Sequence, residues 1–306
     1  MGGGIAQALA LADYDVRLAD VDEATAQAAL QRLLQEATDF ESQGLFPAGS
    51  AATIAQHLTA AASIEAAVDN ADFIEEVVAE NVDIKRDVLG RISNAARPDA
   101  IIGTNTSTIP VHQLVSAITA PERFLTVHFS NPAPFIPGVE LVCGPETSEE
   151  TVATVKGLLK SAGREGAQVS DTPGMVLNRL QFTLFKEAAS IVEEGIATPE
   201  DVDAIVRSTF GFRLGFFGPF AIADQAGLDV YLGAFSTLEQ AYGERLSAPK
   251  ILRETVESGQ KGVKTGAGLT GKFDDSTSRD LIAYRNKAYA KMNQLVQDLG
   301  PAPKGN

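Results

Sequence analysis

The stretch FLTVHFSNPAPFIPGVELV, residues 124–142, decides how the chain is read. Two apolar, β-branched runs are joined by a Pro-rich loop, which predicts two strands and the turn between them. His128 stands at the end of the first run, and Glu140 lies inside the second. An imidazole, with an ordinary pKa of roughly 6.5, takes and returns protons near neutrality, and a carboxylate behind it fixes the tautomer and stabilises the imidazolium. The pair reads either as a catalytic base with its orienting acid or as a buried histidine satisfied by a neighbouring carboxylate.

Upstream, short apolar runs alternate with helical ones. DFIEEVV (72–78) predicts a strand, residues 82–97 a helix, AIIGTNTS (100–107) a strand with its exit turn, and residues 111–118 a short helix. Strands spaced by helices argue for a parallel sheet covered on both faces, in which ligands gather at the carboxyl ends of the strands. Glu80 and Asn81, the run Thr104–Asn105–Thr106–Ser107, and His128 all fall at such ends. Downstream, a helix over 149–162 and a strand near 167–170 close this half.

The start of the chain fits the same plan. Three glycines, Gly2 to Gly4, open an apolar helix, and the run VRLAD after it predicts a strand ending at Asp20. In a dinucleotide-binding βαβ unit the glycine turn precedes this helix, and an acid about 20 residues on takes the ribose hydroxyl. No strand and no G-x-G precede Met1 in this sequence, so the expectation is a unit whose first strand is missing. A long helical stretch, 23–46, carries Glu36, Asp39 and Glu41 at its far end.

Asp171–Thr172–Pro173–Gly174 combines a turn, a helix cap and an early helical proline, and marks the break between a domain of residues 1–172 and one of residues 173–306. The second half predicts helices over 175–196, 199–209, 219–234, 249–258 and 278–299, with Asn178 in the first turn of the first of them. Apolar residues on several faces of this α domain make a homodimer the expectation.

Composition bounds the function. With 25 basic and 40 acidic side chains the formal charge is −15, which argues against nucleic acid and anionic membrane surfaces and for a small-molecule substrate. No apolar run is long enough to span a bilayer and no signal sequence opens the chain, so a cytoplasmic location is expected by default. One cysteine, Cys143, and three histidines give no disulfide framework and no recognisable metal-ligand spacing.

Taken together, MGGGIAQALA, Asp20, AEN with Glu80, TNTS, HFSNP, VELV, DTPGMVLNRL and GPFAIADQAGLD resemble the L-3-hydroxyacyl-CoA dehydrogenase family over nearly the whole chain. The resemblance implies a doubly wound, Rossmann-type NAD domain followed by an all-α substrate and dimerisation domain, and 3-hydroxybutyryl-CoA-like dehydrogenation in fatty acid metabolism. It implies that His128 is the base, that Glu140 orients it, and that Ser107 and Asn178 bind the substrate oxygen. It places Gly2, Asp20, Glu80 and Asn105 near NAD. The chain departs from the family where acyl-CoA members offer lysines and a serine to the CoA phosphates, because residues 36–46 hold no Lys or Arg. Glu36, Asp39 and Glu41 would repel a multiply anionic CoA. The loop APFIPG and the segments VLNRLQ and EEGI resemble lambda-crystallin/L-gulonate dehydrogenase and carnitine dehydrogenase, which act on free hydroxy acids. A cofactor-impaired structural relative is the third expectation. The glycine-rich GVKTGAGLTGKF is read as a turn that closes the α domain.

Overall fold

Two faces of one sheet must each bury a row of β-branched side chains, and the chain supplies a set of helices for each. The computed structural model describes residues 1–303 and divides into two compact units, Met1–Phe185 and Lys186–Asn306. Unit 1 opens with helix α1 (Gly2–Ala10), strand β1 (Val16–Leu18) and helix α2 (Glu23–Ser42). Asp22 begins α2 by accepting the Thr25 amide at 2.7 Å. Three short elements, α3 (Ser50–His57), β2 (Leu58–Ala60) and α4 (Ile64–Val68), occupy a segment whose hydrophobic pattern announces none of them.

The expected alternation follows. It comprises β3 (Phe73–Glu76), α5 (Val82–Ala95), β4 (Ile101–Thr104), α6 (Val111–Leu114), β5 (Phe124–Phe129), β6 (Gly138–Cys143), α7 (Glu149–Ser161) and β7 (Glu165–Ser170). One five-stranded sheet takes the order β3-β4-β5-β6-β7, and β1 pairs with β2 in a separate parallel sheet. On one face, Ile5 and Leu9 of α1 and Val155 and Leu159 of α7 pack on Leu125, Val127 and Leu141. On the other, Leu89 and Ile92 of α5 and Leu114 of α6 pack on Ile102, Phe124 and Val142. The α/β layering is therefore the doubly wound one the sequence predicts. One pairing departs from a wholly parallel sheet: β5 and β6 run antiparallel. The connection between them, residues 130–137, is too short for the crossover of a dozen or more residues that a parallel neighbour needs.

Two buried acids sit side by side on β3. Glu76 accepts the Lys85 Nζ at 2.9 and 3.2 Å, the Thr104 hydroxyl at 2.6 Å and the Val78 amide at 2.6 Å, so each oxygen has two donors although both ionic groups are buried. Glu75 points to the other face. The residue reaches solvent in part, yet both carboxyl oxygens are enclosed without a hydrogen-bond partner, packed over Gly103 where any larger residue would collide. Burial, and then the charge of Glu76, push the Glu75 carboxyl well above the usual range, with Lys85 opposing. Cys143, at the end of β6, is half-buried and its thiol is pushed up by that burial.

Helix α8 (Leu177–Glu193) runs across the division into unit 2, which is helical: α9 (Pro199–Ser208), α10 (Phe210–Leu214), α11 (Pro219–Ala226), α12 (Leu228–Tyr242), α13 (Lys250–Glu257) and α14 (Asp275–Leu299). The single helix expected over 219–234 is broken, because Gly227 adopts φ 104°, a backbone state open to glycine. The buried Asp224 accepts the Leu269 amide at 2.9 Å and the Thr270 amide and hydroxyl at 2.7 and 2.6 Å, which pins the hairpin of β8 (Ala267–Gly268) and β9 (Gly271–Lys272). The glycine-rich segment is thus the closing turn it was read to be. Helix α14 packs Tyr289 against Phe212, Phe216 and Phe217, with ring centroids 5.8–6.3 Å apart.

Two substitutions test this framework. Lys85→Met strands the Glu76 charge and lowers unfolding free energy by about 3–5 kcal/mol in urea titration. Unfolded Glu75 ionises near its ordinary value of about 4.3, whereas the folded carboxyl keeps its proton to much higher pH. Its stabilising contribution is therefore present below the ordinary value and lost as pH rises towards the raised one. Glu75→Gln should melt higher than the parent at pH 8, by a margin larger than at pH 5.

Candidate active site

The antiparallel pairing of β5 and β6 places His128 directly opposite Glu140. Side chains so paired share a face and come into contact. His128 Nδ1 lies 2.9 Å from Glu140 Oε2, and the two residues are 7% and 9% exposed. A carboxylate at this distance accepts a hydrogen bond from Nδ1–H, which fixes that tautomer and leaves Nε2 as the basic atom of the ring.

Glu140 has a second task. Its Oε1 accepts the Val176 and Leu177 amides, each at 2.9 Å, at the start of α8. The free amides and partial positive charge of a helix start favour a carboxylate there. Gly174 and Met175 both adopt positive φ, 75° and 50°, in the turn that aims these amides. For a non-glycine residue that backbone is unfavourable, and Met175 is held in it by burial against the core beside Ile109 and Val111. Asn178 follows in the first turn of α8, with Nδ2 3.4 Å from the Ser107 carbonyl.

Ser107 is held from below. Glu80 Oε1 accepts the Thr106 hydroxyl at 2.6 Å, the Ser107 and Thr108 amides at 3.0 Å each, and the Thr108 hydroxyl at 3.0 Å. Burial pulls the Glu80 carboxyl up, but the hydrogen bonds from Thr106 and Thr108, with the charge of Lys85, outweigh it and hold it below the usual range. Asn105 takes the Phe129 amide on its Oδ1 at 2.8 Å, which ties the end of β4 to the end of β5. Glu80 and Asn105, which the resemblance places near the cofactor, are thus engaged in holding the walls around Ser107 and His128. Among the described residues nothing hydrogen-bonds the Ser107 Oγ.

The other two predicted cofactor residues, Gly2 and Asp20, stand at the start of α1 and just after β1. Gly2 is in the first turn of α1, which contains no acidic residue. A Cβ on Gly3 would meet Leu33 Cδ2 at 2.6 Å and one on Gly4 would meet Pro134 Cδ at 2.9 Å, so these glycines let the helix start lie close to its neighbours. Asp20 follows β1 and accepts the Val21 amide with Oδ1 at 2.8 Å. A helix start free of acid and an exposed carboxylate past the adjacent strand fit the pyrophosphate and a ribose of a dinucleotide, respectively.

Lys85 and Glu76 escaped the sequence reading, and Asp171 figures there only as part of the turn and cap at the domain break. Lys85 had a signal, since it occupies the buried stripe of α5 with Leu89 and Ile92. Asp171 accepts the Val111 and His112 amides at 3.1 Å each and His112 Nδ1 at 2.9 Å, and so caps α6 from the turn that precedes α8.

Known proteins match the chain over most of its length. Residues 1–172 match the family described as 3-hydroxyacyl-CoA dehydrogenase, NAD binding domain, and residues 174–271 match 3-hydroxyacyl-CoA dehydrogenase, C-terminal domain. The chain is 33% identical to 5-formyl-3-hydroxy-2-methylpyridine 4-carboxylate 5-dehydrogenase of Mesorhizobium japonicum over 93% of its length and 94% of that protein. It is 32% identical to a probable 3-hydroxybutyryl-CoA dehydrogenase of Bacillus subtilis over 91% of its length and 96% of that protein. The crystal structure of a 3-hydroxyacyl-CoA dehydrogenase from Archaeoglobus fulgidus superposes with a TM-score of 0.78 at 30% identity, covering 98% of this chain and 95% of that one.

Because Glu140 Oε1 caps α8, Glu140→Ala should cost about 1–2 kcal/mol of stability in chemical denaturation, as loss of a helix cap does. His128→Ala leaves both amides capped but removes the donor to the buried Glu140 Oε2, and should cost about 1–3 kcal/mol by the same measurement.

Proposed function

The chain belongs to the 3-hydroxyacyl-CoA dehydrogenase family, whose cofactor is NAD, and on that premise we propose that it oxidises the C3 hydroxyl of an L-3-hydroxyacyl substrate with His128 as the base. The observation that carries this reading is the shared carboxylate: Glu140 holds the imidazole with one oxygen and the helix of Asn178 with the other. With Nδ1 occupied, His128 Nε2 takes the proton of the substrate hydroxyl. NAD, when bound, supplies the acceptor for the hydride that leaves C3. As the C3 oxygen becomes a carbonyl, the Ser107 hydroxyl and the Asn178 amide donate to it, and Glu140 stabilises the imidazolium. The start of α1 at Gly2 takes the pyrophosphate. Asp20 accepts from a ribose and repels a 2′-phosphate, which selects NAD over NADP. Glu80 and Asn105 serve the cofactor side by fixing the turn at 106–108 and the ends of β4 and β5.

A second reading, a small free hydroxy acid in place of a CoA thioester, is favoured by Glu36, which lines a cavity beside α1 that no basic side chain lines. The same family reading makes the protein a cytoplasmic homodimer. Ile205, Phe220, Val230 and Ile251 of unit 2 are each more than half exposed, an apolar surface suited to a second copy.

His128→Ala should abolish NADH formation while leaving NAD binding by calorimetry intact; retained turnover removes His128 from the role of base. Ser107→Ala should lower kcat by roughly 10²-fold, the loss typical of one donor to a developing oxyanion. Light scattering should give twice the chain mass.

A further inference from the structure

The loop that joins the strand of His128 to the strand of Glu140 contains Pro132, Pro134 and Pro137. A proline has no amide hydrogen, so such a loop has few donors with which to tie itself down and must be fixed through its carbonyls. Phe135 and Ile136 donate their amides to the Pro132 carbonyl at 3.1 Å each, which closes a turn within the loop. The remaining carbonyls are gripped from the start of β7. Glu165 donates its amide to the Pro137 carbonyl at 2.9 Å, and the Arg164 guanidinium donates Nη2 to the Pro134 carbonyl at 3.1 Å and Nη1 to the Ile136 carbonyl at 3.2 Å.

A charge is a costly group for that task. The Arg164 Nε is enclosed without a hydrogen-bond partner, no carboxylate pairs with the guanidinium among the described residues, and burial holds it below its usual range. What it supplies in return is a rigid fork that spans two carbonyls at once, which the compact ammonium of a lysine cannot do. The loop so gripped reaches two parts of the candidate site. It leaves β5 directly after His128 and Phe129, and its Ala133 and Pro134 lie against α1, where a Cβ on Gly4 would meet Pro134 Cδ at 2.9 Å. On its outer side the Phe135 ring packs on Phe40 and Phe46, with centroids 5.4 and 5.7 Å away. The loop is a strut between the strand of the base and the first turn of α1, clamped by Arg164 from behind.

We propose that Arg164 is a positioning residue, which by clamping this strut sets the spacing between the base on β5 and a dinucleotide held at the start of α1. The inference rests on the dehydrogenase reading. A released loop no longer holds the first turn of α1 at a fixed distance, so the loss falls on the dinucleotide and not on the substrate oxygen, whose donors Ser107 and Asn178 stand on other elements.

The test compares Arg164→Gln with the parent by calorimetric titration of NAD, by hydrogen exchange of residues 130–137 without ligand, and by kinetics with NAD and L-3-hydroxybutyryl-CoA. The expected result is faster exchange in the loop, a Kd and a KM for NAD each raised about tenfold, and a KM for the CoA ester changed by less than about twofold. Should Arg164→Gln not fold, Arg164→Lys, which keeps the charge without the fork, carries the same comparison with the same expected direction. An unchanged Kd for NAD in a protein whose loop exchanges faster overturns the inference. So does a fall in kcat with both KM values unmoved, the mark of a role in folding alone. A parent that binds NAD but forms no NADH refutes the dehydrogenase reading, and the Kd comparison then judges Arg164 by itself: weakened binding sustains the inference and equal binding overturns it. Absence of NAD binding by the parent overturns both.

Discussion

Everything in the candidate site depends on one carboxylate being shared. A buried carboxylate is tolerated only where donors replace the water it has lost. Glu140 draws those donors from two places, the imidazole of His128 and the first amides of α8. The strand that bears the base and the helix that bears Asn178 therefore cannot shift independently without stranding a charge. The antiparallel turn of the chain between β5 and β6 is the geometric condition for it, since it sets the acid opposite the histidine.

The other acids at the strand ends repeat the device for different ends. Glu76 is neutralised by Lys85 and braced by Thr104, Glu80 gathers the amides and hydroxyls of the 106–108 turn, and Asp171 gathers those at the start of α6. Each replaces a missing backbone partner and holds a loop that would otherwise be free to move. Glu75 and Glu36 stand apart. The first is enclosed without a donor, and the second faces a cavity with only an exposed arginine beside it. A carboxylate that braces nothing is the one free to answer to a ligand or to pH.

Much of this was legible in the sequence, and the failures have physical causes. Helix and strand periods located the elements from α5 to β7, and the spacing of His128 and Glu140 nominated the pair the structure joins. The antiparallel turn was legible too, because residues 130–137 leave no room for a crossover, but loop length has to be weighed against the parallel rule to see it. Elements α3, β2 and α4 are too short to show a period; α3 and β2 form by packing on α1 and α2, and α4 by burying Ile64 and Val68 in the cluster that holds Leu89 and Ile92 of α5. The tasks of Glu80, Asn105 and Asp171 are tertiary, joining residues 24 to 60 positions apart, and no local pattern encodes such a partner. The positive φ of Met175 is equally hidden, because methionine gives no hint of a left-handed backbone.

The socket that Asp224 makes for the hairpin of Leu269 and Thr270 sets an order of events during synthesis. A buried aspartate whose donors lie 45 and 46 residues downstream stays unsatisfied until that hairpin has left the ribosome. At typical elongation rates the interval between the end of unit 1 and residue 270 lasts about 4–17 s, time in which the first unit, whose own ties close by Leu177, can fold ahead. The α-helical half is then the exposed nascent segment, and its apolar helix faces are the stretch a chaperone would meet first.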